Sequence, residues 1–134
     1  MKRLYLCFLL TAVACQPSKN DEKDQPNAYR DLLIDRMIWK KSEVANPQEK
    51  PTNRHWFTLT NTSETYLYRQ IEVRFDYFDS KYHKISSSKT TIDKALGPRE
   101  ALSLGEIEDG PVNPTAHSAT VTVVKAKSER AKPD

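Results

Sequence analysis

Cysteine is almost absent from this 134-residue chain: Cys7 and Cys15 are the two present, and both fall within the first fifteen residues. Beyond them there is no disulfide to staple the fold, no thiol nucleophile and no Cys-ligated metal, so the rest of the chain must be held together by a core. Glycine is nearly as scarce. Gly97, Gly105 and Gly110 stand apart from one another, which excludes a glycine-rich phosphate loop. Histidine is limited to His55, His83 and His117, with no pair at metal-ligand spacing, so no metal and no cofactor is expected. An excess of one charge is lacking too. The formal +3 falls to about +1 once the first fourteen residues, with Lys2 and Arg3, are set aside, leaving 19 lysines and arginines against 18 acids. Such a domain has no basic face for nucleic acid.

What is present begins with a leader. Lys2-Arg3, the apolar run Leu4 to Leu10 and the small residues Ala12-Val13-Ala14 before Cys15 resemble a bacterial lipoprotein signal peptide, with Ala12 where that pattern usually has Leu. The apolar run is too short to remain as a membrane-spanning helix. The resemblance implies removal of residues 1–14 and lipidation of Cys15. The membrane would then be a partner through the acyl chains, each buried CH₂ contributing about 0.8 kcal/mol. Gln16 to Ala28 offers nothing large and apolar, so 15–28 is expected to be a lipidated cysteine and disordered tether reaching on the order of 20 Å.

The domain proper is expected over 29–127, and its centre is Ile71 to Asp79. Ile71, Val73, Phe75 and Tyr77 alternate with Glu72, Arg74, Asp76 and Phe78, the period of a half-buried strand. Around it, Tyr29 to Val44 fits helical spacing through Leu32, Leu33, Met37 and the Ile34/Ile38 pair, although a first strand is favoured. Ala45 to Asn53, with Pro47 and Pro51, is expected to be an exposed loop. His55 to Thr60 gives a second strand with Phe57 and Leu59 on one face and Trp56 and Thr58 on the other. Asn61-Thr62-Ser63-Glu64 supplies turn residues. Tyr66 to Asp79 is the long strand, and Asp79 to Lys84 closes a hairpin into Ile85 to Ile92. Leu96 to Glu100 is a turn before a strand from Ala101, Asp109 to Pro114 is a break, and Ala119 to Ala126 is the last strand. The rest, 128–134, is expected to be a polar tail.

These elements predict an all-β fold, an Ig-like antiparallel β-sandwich of about six to seven strands. In order, Asn61 to Ser63, Val73 to Asp79 and Leu96 to Glu100 resemble the turn, aromatic strand and late turn of the FxLYD-like Ig-type β-sandwich domains. The departures are Gly97-Pro98 in place of Pro-Gly and Lys81-Tyr82 where Gly would ease the hairpin. The resemblance implies a binding or accessory module without known catalysis.

No catalytic residue stands out. Asp76 and Asp79 differ in parity and read as solvated charge and turn capping, and Ser86-Ser87-Ser88 lacks both a nucleophile elbow and a base, which leaves little for a small hydrolase. What remains is aromatic: Trp56 and Phe78, with Tyr66 and Tyr68 beside them, are the candidate contact surface, because large side chains on the face away from the core mark interaction sites. The expected function is that of a lipid-anchored envelope protein at the outer membrane, facing the periplasm or the outside and acting without catalysis through contacts with another envelope protein. A carbohydrate or peptidoglycan-binding module is the alternative.

Overall fold

A computed structural model describes residues 25–133; the leader, Cys15 and most of the tether lie outside the described residues. One helical turn, α1 (Ala28–Asp31), opens the fold, capped by the Asn27 side chain, which accepts the Arg30 amide. Six strands follow: β1 (Leu32–Lys41), β2 (Thr52–Asn61), β3 (Tyr66–Phe78), β4 (Lys84–Ile92), β5 (Ala101–Pro111) and β6 (Ser118–Arg130). They form two antiparallel three-stranded sheets, β1-β2-β5 and β4-β3-β6, packed as a sandwich.

The core lies between the sheets. β3 contributes Ile71, Val73, Phe75 and Tyr77, as its alternation predicts, and β2 contributes Phe57 and Leu59. Strict alternation fails at bulges, where one added residue turns the following side chains to the other face. In β1 the bulge includes Arg36, at a left-handed φ of 51°, so the inward residues are Leu32 and Ile34 before it and Met37 and Trp39 after it. Their spacing of two, three and two is what makes this segment read as helical, and the strand is the correct reading. In β3 the pairing slips at Gln70, at φ 47°, which puts Tyr68 on the core side although Ile71 also faces inward.

Three expectations need correction. Asn53 is not loop but β2, buried, with its Nδ2 donating to the carbonyls of Asp109 and Pro111 at 3.1 and 3.2 Å. The break expected at Asp109 is absorbed within β5 by Gly110 at φ 55°, so the chain leaves the sheet only after Pro111. The polar tail begins later than expected, because Lys127 to Arg130 pair with Arg69 to Tyr66 and satisfy the first half of β3. Polar sequence there reflects exposure, not the absence of a partner strand.

The turns follow from their residues. Asn61 is buried and its Nδ2 donates to the carbonyls of Tyr66, Leu96 and Gly97, while Oδ1 accepts the Ser63 amide. It ties β2 to two other segments. At the β3–β4 hairpin, Asp79 Oδ1 accepts the amides of Lys81 and His83, and Tyr82 takes the left-handed conformation, φ 62°, that a glycine would adopt more cheaply.

Candidate functional site

Trp56 sits on the outer face of the β1-β2-β5 sheet, half-buried. Its neighbour across β1 is Ile38, which is half exposed, and on the β5 side it falls opposite the bulge at Gly105 and Glu106. A side chain placed on Gly105 would meet nothing within 4 Å, so the backbone beside the indole is open to an incoming group. Along the same strand, Arg54 Nη1 pairs with Glu106 at 2.7 Å, while its Nε is buried without a hydrogen-bond partner among the described residues. An indole, an aliphatic side chain, bare backbone and an ion-paired guanidinium thus share one patch, the mixture that desolvated contact sites use.

The other expected contact residues do not join this patch. Phe78 lies on the outer face of the β4-β3-β6 sheet, in line with Glu72, Arg74 and Asp76, on the opposite side of the sandwich. Tyr66 is half-buried and carries Arg130 over its ring, 5.7 Å from the centroid. Tyr68 is a correction: it is 1% exposed, because the Gln70 bulge reverses the face on which it falls. Its hydroxyl donates to Asp31 Oδ2 at 2.5 Å, and Arg30 Nε donates to the other carboxylate oxygen at 2.7 Å. Burial pushes Asp31 up, but the hydrogen bonds from Arg30 and Tyr68 outweigh it and leave the carboxyl below its usual range.

A polar cluster that sequence reasoning missed lies between the sheets. The Tyr77 and Ser88 hydroxyls both donate to Asp109 Oδ2, and His55 Nε2 lies 2.8 Å from the Tyr77 hydroxyl. Tyr77 has one proton and gives it to Asp109, so His55 donates through Nε2 and its lone pair is on Nδ1. That nitrogen is buried with no partner among the described residues, and the ring is stacked on Phe75 at 3.9 Å. Burial pushes His55 down to about 4, partly opposed by Asp109, and pushes the Tyr77 hydroxyl far above its usual range. Asp109 reaches the cluster because the bulge at Gly105 and Glu106 turns β5 over, so that Leu102 and Leu104 face inward before it and Ile107 and Asp109 after it. Continued alternation would have sent Asp109 outward.

This cluster is arranged as a strut. Ser88 is bonded to the carboxylate and not to the imidazole, and the imidazole lone pair faces the core, so His55 is not placed to take the Ser88 proton. Ser87 is bonded to Asp76, whose carboxylate also meets Arg74 and Lys84 and is buried, where sequence reading had it solvated. Asp79 caps the hairpin as expected. Among the described residues no group of three or more His, Asp or Glu side chains is arranged to hold a metal ion.

No known family's sequence model matches the chain, and no curated protein matches it. A solved structure, titled as the X-ray structure of Northeast Structural Genomics Consortium target SoR45, aligns with a TM-score of 0.41 at 11% identity, covering 76% of this chain and 88% of that one.

Proposed function

We propose that this protein is a lipid-anchored accessory protein of the cell envelope that acts by binding another envelope protein, without catalysis, through the outer face of the β1-β2-β5 sheet. The observation that carries the reading is the patch itself: Trp56 beside half-exposed Ile38, open backbone at Gly105 and the Arg54–Glu106 ion pair. The anchor is supported by the leader and Cys15 in the sequence. The likeness to FxLYD-like domains, carried by the turns at Asn61 and Leu96 and the strand between them, supports a binding role. The strut geometry at Ser88 and His55 supports the non-catalytic reading.

One experiment tests anchor and surface together, by crosslinking and pull-down from membranes of cells making the native chain or a single variant. Cys15→Ala is expected to move the protein to the soluble fraction. Trp56→Ala should leave it in the membrane, with its melting temperature nearly unchanged, and remove its crosslinked partner. Retention of the cysteine variant through a carbonate wash would overturn the anchor. A large fall in melting temperature for Trp56→Ala would make the indole ordinary core, and release of a glycan instead of a protein would transfer the surface to the carbohydrate reading.

A further inference from the structure

β1 is an edge of its sheet, paired as a strand among the described residues with β2 alone, with Val121 to Val123 of β6 across a groove from Leu32 to Ile34. Leu33 and Ile38 along it are 52% and 50% exposed, high for aliphatic side chains on a strand. Between them lie Asp35 and Arg36, both exposed, and neither makes an ion pair or side-chain hydrogen bond among the described residues. An exposed edge with apolar side chains is a template for another strand, and proteins guard such edges with bulges and charges. This edge has both, the bulge at Arg36 and the two charges beside it.

The guard is complementary to itself. We propose that the protein forms a two-fold dimer in which β1 pairs antiparallel with β1 of a second copy, Leu33 against the second copy's Ile38 and Asp35 against the second copy's Arg36. Two-fold symmetry repeats each contact, so both apolar side chains and both charges of each copy are matched at once. Ile34 then faces Met37, and these are the residues that each copy turns toward its own core. The register is specified, because a slip by one residue brings Asp35 onto Asp35 or Arg36 onto Arg36, and like charges directly opposite destabilise a ladder. An unrelated strand would meet the kink and two unmatched charges, which selects a second copy of this chain over other extended segments. The product is a continuous six-stranded sheet that presents both Trp56 side chains on one face.

The test is sedimentation of the full-length protein, extracted in mild detergent, over a range of concentrations. The native chain is expected to dimerise. Asp35→Arg and Arg36→Asp should each weaken the dimer about tenfold or more, because each turns two attractions into two repulsions. The double variant carrying both changes should regain the native dimer constant. A monomer at every concentration would overturn the proposal, as would single variants that dimerise normally or a double variant that stays weak. Should a charge variant fail to fold, a second measurement decides: Leu33→Cys and Ile38→Cys chains, mixed under oxidising conditions, should give a disulfide-linked pair that neither gives alone, and an equal yield from either alone would sink the register.

Discussion

His55 is fully buried and keeps a lone pair in the core without a partner among the described residues, so its protonation has to be forced on the folded state. Its value falls to about 4 when folded, against about 6.5 in the unfolded chain. The unfolded state therefore binds more protons between these limits. The contribution of His55 to stability is complete above about pH 6.5 and is lost as pH falls toward 4, about 3 kcal/mol across that window. Asp31 and Asp76, held below the usual carboxylate range, weaken the fold only at lower pH, as they take up protons below about 4. Urea midpoints measured between pH 7 and 4 should fall for the native chain. His55→Gln, which keeps a donor for Tyr77 and cannot titrate, should flatten that fall, and an equal slope in both proteins would show that His55 is not the titrating group. None of this was legible from His55 alone, whose parity with Phe57 and Leu59 marks it as inward-facing but says nothing of Tyr77 or Asp109.

At the scale of strands, the sequence shows periodicity wherever the ladder is regular and hides it wherever a bulge intervenes. The stretch from Ile71 to Phe78 was readable because β3 runs there without added residues on its core side. Tyr68, Asp109 and the inward set of β1 were not, because Gln70, Gly105 and Arg36 each lie at a slip that two-residue alternation cannot anticipate. Gly105 was the one visible hint, since glycine inside a strand often marks a bulge. The Gln70 slip is open to a direct check. Tyr68→Ala and Phe75→Ala should each cost about 3 to 5 kcal/mol, by lost transfer energy and a cavity, out of a total of about 5 to 15. Arg69→Ala, on the exposed side of the same strand, should cost less than about 1 kcal/mol. If Arg69 proved as sensitive to urea as Tyr68, alternation would run unbroken through Gln70 and the bulge would be wrong.

For the molecule as a whole, the ends of the domain are set together. The Thr62 amide donates to the Asp31 carbonyl and the Ala131 amide to the Thr65 carbonyl, so the chain enters and leaves at the turn between β2 and β3. Asn27 lies at that end, and the two outer sheet faces rise from it, one carrying Trp56 and the other Phe78. The fold class was readable from the sequence because strand count and turn chemistry agree, but the separation of these two aromatics onto opposite faces emerges only from sheet order. The proposed function depends on that separation, and one measurement tests it most directly. A photoreactive residue is placed at Ser103, exposed on the outer face of the β1-β2-β5 sheet, or at Thr120, exposed on the opposite outer face, and intact cells are irradiated. The Ser103 position is expected to yield a discrete adduct that disappears with Trp56→Ala, and the Thr120 position none. Adducts from Thr120 alone, or a Ser103 adduct indifferent to Trp56, would contradict the assignment of the binding face.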